Sequence, residues 1–104
     1  EHDATIAYTS NLPHVTAVAL MDSASFNDKT RYFVAGSFRD GTRVADINPE
    51  LWSNLFLANK EKVADEIDRY MEQLTLWRDA LRSGDGEQLK ALMRTAGERR
   101  RELF

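Results

Sequence analysis

Apolar and polar residues follow one another along most of this chain at the spacing of an α-helix. Between residues 63 and 81, the members of one apolar stripe lie alternately four and three positions apart. This heptad-like stripe predicts a long helix with an apolar seam. Lys60 stands on the seam where an apolar residue belongs, so we expect the pattern to break near residues 59–61. The seam residues are Val63, Ile67, Tyr70, Leu74, Trp77 and Leu81.

Short polar segments mark the ends of these predicted helices. Asn48 followed by Pro49 is a helix start, with a capping side chain and a proline at the first helical position. The sequence SGDG at residues 83–86 predicts a tight turn. Gly84 suits the left-handed position that ends a helix, and Asp85 can cap the next helix. We expect that last helix to run to about residue 101 and to return along the seam as an antiparallel hairpin.

A proline interrupts the apolar pattern of residues 2–24. The residues that can share a broad apolar face there at helical spacing are Ile6, Leu12, Val15, Val18, Ala19 and Met21. Because Pro13 has no backbone N–H, the carbonyl of Thr9 would lose its helical partner. We expect a kinked helix, or two helices that meet near Ser10 and Asn11. Residues 31–35 have no strand-like partner elsewhere, so a short helical turn is favoured there, and Gly36 and Gly41 bound further short helical pieces. The pattern predicts a single all-α domain of five to six helices over residues 1–104.

Composition narrows the classes of partner. The chain is 42% hydrophobic and 30% charged, with a net charge of −3 and no cysteine. This composition is typical of a globular protein, and it lacks the excess of basic residues that nucleic-acid binding requires. The absence of cysteine excludes thiolate metal sites. No apolar run approaches the ~20 residues of a membrane span. We expect a cytoplasmic protein without metal, nucleic-acid or membrane partners. Its long seam predicts a homodimer, and its start at Glu1 without methionine suggests a piece of a longer protein.

The candidate chemistry is anion binding. Arginine binds carboxylates through two parallel charge-assisted hydrogen bonds, and histidine can donate to the same ligand. Arg39 and Arg43 are four positions apart, so one helical turn would place them near one face. Asp40 precedes Arg43 by three positions and is placed to orient its guanidinium. If the two segments that carry these groups meet, they form a pocket for a small carboxylate compound; an ordinary surface turn and separately packed histidines are the alternatives. The groups are His2, Ser10, His14, Arg39 and Arg43.

Five stretches, in order, resemble the C-terminal helical domain of prephenate dehydrogenase. They lie at residues 2–3, 10–14, 36–45, 48–52 and 55–61, and they read HD, SNLPH, GSFRDGTRVA, NPELW and LFLANKE. That family oxidises and decarboxylates prephenate to 4-hydroxyphenylpyruvate in tyrosine biosynthesis. The resemblance implies an all-α, dimeric substrate-binding domain. It also implies an N-terminal domain, absent from this chain, that binds NAD or NADP and carries the histidine that polarises the reacting hydroxyl.

The resemblance assigns roles to seven positions. Arg43 matches an arginine that binds a prephenate carboxylate, and His14, with Ser10 beside it, matches a histidine of the substrate and tyrosine pocket. No residue here matches a catalytic or cofactor-binding residue of the family, so the isolated chain is expected to be inactive. The implied substrate-binding residues are His2, Ser10, His14, Gly36, Asp40, Arg43 and Trp52.

Three positions depart from the family pattern. Asn11 stands where histidine is more frequent, Ser37 replaces a glycine, and Gly41 replaces a threonine. Two other functions compete with the dehydrogenase. A small all-helical chorismate mutase also binds a dicarboxylate, but it would carry its arginines along long helices. A ligand-free helical dimerisation module would bind neither prephenate nor tyrosine, the possible inhibitor. The choices between NAD and NADP, and between prephenate and arogenate, stay open.

Overall fold

The computed structural model describes residues 1–104 and contains helices and no strand, which confirms the all-α prediction. It divides into two compact units, Glu1–Ile67 and Asp68–Phe104, and one helix runs through the division. No helix combines the length and the apolar character needed to cross a membrane. The helices are α1 (His2–Ile6), α2 (Leu12–Met21), α3 (Gly36–Gly41), α4 (Pro49–Ala58), α5 (Lys60–Ser83) and α6 (Gly86–Leu103).

A π-helical turn joins α1 to α2 at Ala7–Asn11. The N–H of Leu12 donates to the carbonyl of Ala7, five residues back rather than four. Pro13 follows at once, and its missing N–H already breaks the regular pattern of bonds. The widened turn places the irregular hydrogen bonding just before the proline. The predicted interruption near Ser10 and Asn11 is therefore confirmed, as a π turn.

The buried face of this segment is made of small residues. Ala7 and Ala17 are 0% and 1% exposed, and Leu12 is 7% exposed. Ile6 and Ala19, which the apolar spacing placed on the buried face, are exposed instead. Helix α2 is apolar on nearly every side, so its periodicity could not select a face. Small side chains allow close packing, and the tertiary structure buries the face that carries Ala7, Leu12 and Ala17.

The connection from α2 to α4 contains less helix than predicted. Residues 31–35 form only part of a 3₁₀ turn, Thr30–Tyr32. Helix α3 ends at Gly41, where the N–H of Thr42 bonds back to Phe38 and Asp40. Arg43 therefore lies beyond the helix, and the idea that Arg39 and Arg43 share one helical face is wrong.

The break between α4 and α5 lies where the sequence placed it, at Asn59. The side-chain amide of Asn59 donates to the backbone carbonyl of Asp3 over 2.9 Å, which ties the break to α1. Next to it, Val63 is 5% exposed. The Lys62 ammonium lies 3.2 Å from the Glu1 carboxylate, and this hydrogen bond lowers the pKa of Glu1. These contacts join the N-terminal end of the chain to the start of α5 within the first unit.

The second unit begins within α5, and a sharp turn joins α5 to α6. Gly84 has a φ of 71°, and the N–H groups of Gly84 and Asp85 donate to the carbonyls of Leu81 and Ala80. This pattern is the Schellman motif, which satisfies carbonyls at the end of a helix. The Asp85 carboxylate then accepts from the N–H of Gln88 and caps α6. Both predicted roles are confirmed, and α6 extends two residues beyond the predicted end.

Candidate carboxylate-binding site

His14, in α2, is held by a hydrogen bond to the preceding π turn. Its Nδ1 lies 2.8 Å from the backbone carbonyl of Ser10. A carbonyl oxygen only accepts, so Nδ1 carries the proton. In the neutral ring, Nε2 is therefore an acceptor. Only the imidazolium form of His14 can donate a hydrogen bond from Nε2 to a carboxylate. Ser10 orients the histidine through its backbone oxygen rather than through its hydroxyl.

Trp52 packs against the face of this imidazole. The two ring centroids are 4.0 Å apart with an interplanar angle of 25°. Trp52 lies in the first turn of α4, which the Asn48 side chain caps by accepting from the N–H of Leu51 over 2.9 Å. Phe56, one turn further, lies 5.5 Å from the Trp52 ring. The cap thus fixes the start of α4, and the start of α4 sets the position of the ring beside His14.

All seven predicted site residues lie in the first unit, but the structure connects only three of them. Ser10, His14 and Trp52 are joined by the hydrogen bond and the ring contact. The side chains of His2, Asp40 and Arg43 are exposed, and no hydrogen bond or ion pair joins them to His14. Gly36 is the exposed first residue of α3. The site predicted from the sequence is therefore assembled only in part within a single chain.

The expected orientation of Arg43 by Asp40 does not occur. Their one bond runs between backbone atoms, from the N–H of Arg43 to the carbonyl of Asp40, over 3.4 Å. No ion pair joins the two side chains. Both are exposed at the end of a short helix, where hydration competes with an ion pair. The guanidinium of Arg43 is thus left without a carboxylate partner from its own chain.

An apolar groove of about 500 Å³ lies on the α2 and α4 side of the first unit. Trp52 forms part of its wall, but Arg43 does not, and the one charged residue that lines it is Asp22. A carboxylate in the wall repels a carboxylate ligand, so this groove is not the predicted anion pocket. Its apolar walls include Val15, Val18, Ala45, Ile47 and Phe56.

A second groove, of about 410 Å³, borders the start of α3. Ala35 and Phe38, which flank Gly36, line it together with Phe33. Lys29 is its one charged residue. The groove thus borders the segment that contains Gly36, which was predicted to line the site, although neither Gly36 nor Arg43 is part of it.

Sequence reasoning missed two features of this region. Phe56 continues the ring contacts of Trp52, and its spacing of four residues from Trp52 within a helix could have indicated that. Asn11 is only 5% exposed, and its side-chain oxygen has no hydrogen-bond partner. Spacing cannot reveal an unpaired buried oxygen, because the packing around the side chain decides it.

The chain does not fit a dinucleotide cofactor. Dinucleotide-binding domains hold the pyrophosphate at a glycine-rich turn between a strand and a helix. These residues contain no strand and no G-x-G-x-x-G sequence. We therefore assign no residue of this chain to cofactor binding.

Curated relatives match nearly the whole chain. It is 31% identical to the prephenate dehydrogenase of Bacillus subtilis over 96% of its length, and 40% identical to the cyclohexadienyl dehydrogenase of Zymomonas mobilis over 85%. The chain spans only 28% and 32% of the lengths of these two proteins.

Solved structures agree with this assignment. The chain matches arogenate dehydrogenase of Synechocystis with a TM-score of 0.89 and 23% identity, over 99% of this chain and 39% of that one, which shows a shared fold. It matches prephenate dehydrogenase of A. aeolicus, solved with hydroxyphenyl propionate and NAD+, with a TM-score of 0.79 and 30% identity, over 96% and 37%. The profile of the family described as "Prephenate dehydrogenase, dimerization domain" matches residues 1–95. The resemblance read from the five sequence stretches is confirmed: this chain belongs to the prephenate dehydrogenase dimerization-domain family.

Proposed function

We propose that this chain is the substrate-binding and dimerising part of a prephenate dehydrogenase. The whole enzyme would oxidise and decarboxylate prephenate to 4-hydroxyphenylpyruvate, with NAD or NADP bound outside this chain. The observation that carries the proposal is the family match over residues 1–95. It is supported by the A. aeolicus relative, whose ligand hydroxyphenyl propionate joins a phenol to a carboxylate.

Arg43 is proposed to bind a carboxylate of the substrate. Prephenate is a dianion, and an arginine offers it a planar, permanently charged donor. The Arg43 side chain is exposed and has no ion pair within the chain, so it is available to an external anion. Decarboxylation releases one carboxylate, so contacts to it must not favour the ground state over the transition state.

His14 is proposed to contact the same ligand through Nε2. Because Nδ1 donates to the Ser10 carbonyl, a neutral His14 accepts from a ligand hydroxyl, whereas an imidazolium donates to a carboxylate. The Trp52 ring holds the imidazole from one side. His2, Gly36 and Asp40 are proposed to line or gate the remainder of the site.

The dimer is proposed to be a homodimer that buries the exposed seam. The heptad spacing places three exposed apolar residues on one stripe. Tyr70, Leu74 and Leu81 are 40%, 50% and 63% exposed within a single chain. Exposed apolar stripes of this length mark interaction surfaces. We also propose a cytoplasmic location, and tyrosine as an inhibitor that binds beside His14.

The natural full-length protein, assayed for nicotinamide reduction, tests the proposed activity. Prephenate and arogenate are each offered with NAD+ and with NADP+, and the product is identified by mass spectrometry. We expect 4-hydroxyphenylpyruvate and carbon dioxide in equal amounts from prephenate. Absence of turnover with all four combinations would contradict the proposal.

The chorismate mutase alternative is weakened by the position of the arginines. Arg39 lies on a six-residue helix and Arg43 lies beyond its end, whereas a helical mutase would carry them along long helices. Addition of chorismate to the isolated chain checks this directly. Formation of prephenate there would revive the alternative.

A further inference from the structure

Trp52 is in contact with two rings, the His14 imidazole and the Phe56 phenyl. The centroids of the Trp52 and Phe56 rings are 5.5 Å apart with an interplanar angle of 49°, a tilted arrangement of the kind that aromatic pairs prefer. The two residues lie four positions apart on α4, so their side chains share one face of that helix. Both are half-buried. Phe56 is therefore linked to His14 by direct contacts that pass through Trp52.

The apolar groove beside Trp52 gives the contact with Phe56 its importance. Both residues line this groove of about 500 Å³. A close-packed interior holds a side chain in one rotamer, whereas an open groove leaves room for another. The Asn48 cap fixes the start of α4, but it does not fix the side-chain torsions of Trp52. Phe56 lines the groove and contacts the indole, so it limits the room into which the indole can turn.

The orientation of His14 depends on two contacts of different kinds. The hydrogen bond from Nδ1 to the Ser10 carbonyl, 2.8 Å long, fixes one edge of the imidazole. A single hydrogen bond still allows the plane of the ring to tilt about it. The Trp52 ring, stacked at 4.0 Å, restricts that tilt. Because the imidazole is rigid, the two contacts together set the direction of Nε2.

We propose that Phe56 is a positioning residue of this site: it keeps Trp52 stacked on His14 and thereby keeps Nε2 directed at the substrate. The proposal rests on the proposed function, in which His14 contacts the ligand through Nε2. Phe56 itself makes no contact with the ligand. It raises the affinity because an imidazole that is already oriented loses less conformational entropy when the ligand binds.

The test measures steady-state kinetics with prephenate in the natural full-length protein. Phe56→Leu keeps an apolar side chain but removes the ring, so it should raise KM by about 5-fold with kcat within about 2-fold. Phe56→Met also lacks a ring and should behave in the same way. Phe56→Tyr keeps the ring and should hold KM within about 2-fold of the wild-type value.

Val63→Ala is the control for a loss of stability. Val63 is a buried residue of the same unit, at 5% exposure. Its truncation leaves a cavity, so the melting temperature should fall, while KM should stay within about 2-fold of the wild-type value. This variant separates an effect on the position of His14 from a general weakening of the first unit.

A double-mutant cycle with Trp52→Leu shows whether Phe56 acts through Trp52. Trp52→Leu alone should raise KM at least as much as Phe56→Leu does, because it removes the ring that contacts His14. Substitutions that break the same line of contacts are not additive. In the Trp52→Leu background, Phe56→Leu should therefore change KM by less than about 1.5-fold.

Four outcomes overturn the proposal. An unchanged KM in Phe56→Leu would leave the phenyl ring without a positioning role, and an equal rise in Phe56→Tyr would show that the ring is not what matters. A rise in KM of the same size in Val63→Ala would show that KM follows stability. Equal effects of Phe56→Leu in both backgrounds would show that Phe56 acts independently of Trp52. Failure of the proposed function shows differently, as a wild-type protein that turns over neither prephenate nor arogenate.

Discussion

The two units of this chain differ in what they bury. The first, Glu1–Ile67, encloses Ala7, Leu12, Ala17 and Val63, all at most 7% exposed. The second, Asp68–Phe104, buries one apolar residue, Ala80, at 4% exposure. Trp77, Leu89 and Leu92 are half-buried. Most of its other large apolar residues are exposed: Tyr70, Met71, Leu74, Leu76, Leu81, Met93, Leu103 and Phe104.

This difference separates two tasks. A unit with a small core of its own can hold a histidine, a tryptophan and a capped helix in fixed relation, as α2 and α4 do. A pair of helices that fully buries one alanine and half-buries a few larger residues gains little apolar burial to offset the entropy of ordering it. We therefore expect the second unit to depend on a second copy, and the first unit to carry the ligand contacts.

The largest effect is expected from a charge on the exposed seam. Leu74→Asp would bury a carboxylate twice in a symmetric dimer, so the dimer should weaken on the order of 1,000-fold. Analytical ultracentrifugation measures the dissociation constant. Gln73→Asp adds the same charge at the adjacent exposed residue and should leave the dimer intact. A Leu74→Asp protein that dimerises like wild type would remove the seam from the interface.

The next effect concerns the first unit. Arg43→Ala in the full-length enzyme should raise KM for prephenate by about 100-fold, with kcat within about 3-fold, because it removes a charge-assisted contact made in both ground and transition states. Steady-state kinetics measures both constants. Arg39→Ala removes another exposed arginine four positions away and should change KM by less than about 2-fold. Loss of kcat at constant KM after Arg43→Ala would argue for a role in the chemical step instead.

A smaller effect is expected at the turn of the second unit. Gly84 has a φ of 71°, which an alanine adopts at a cost of about 1–2 kcal/mol. Gly84→Ala should lower the free energy of unfolding by that amount in urea denaturation. At Gly86, an added Cβ meets no atom within 4 Å, and the backbone is not left-handed. Gly86→Ala should therefore be neutral or slightly stabilising, and equal losses at both glycines would contradict the Schellman assignment.

The smallest effect is expected at the cap of α4. Asn48→Ala removes the bond from the Leu51 N–H and should lower the free energy of unfolding by about 1 kcal/mol. Circular dichroism during urea denaturation measures it. Asn54, exposed within the same helix, is the control, since alanine there improves helix propensity and stability should hold or rise slightly. If Asn54→Ala lowered the free energy of unfolding as much as Asn48→Ala does, loss of the cap would not be the cause of the destabilisation.

The sequence was sufficient wherever a local rule decides the structure. The cap at Asn48, the break at Asn59 and the left-handed Gly84 follow from side-chain and backbone chemistry within a few residues. The order of the five motif stretches could also be recognised in the sequence, and it led to the correct family. Such features need no knowledge of which helices pack together.

Other expectations failed because they depended on where a helix ends. The common face of Arg39 and Arg43 required α3 to continue past Gly41, and of the short helical turn predicted at residues 31–35 only the part within Thr30–Tyr32 forms. Propensity alone does not set such limits in a short glycine-flanked segment, where tertiary contacts outweigh differences of a few tenths of a kcal/mol per residue.

By itself, the sequence determined the all-α class, the helix boundaries that carry caps, and the candidate residues of the site. Tertiary structure alone decided that α2 buries Leu12 and Ala17, that His14 meets Trp52, and that Asn11 is enclosed without a partner. The physical reason is the distance along the chain between the residues that interact. Caps and turns are satisfied by neighbours along the chain, whereas burial and ring contacts depend on residues from distant segments that only packing brings together.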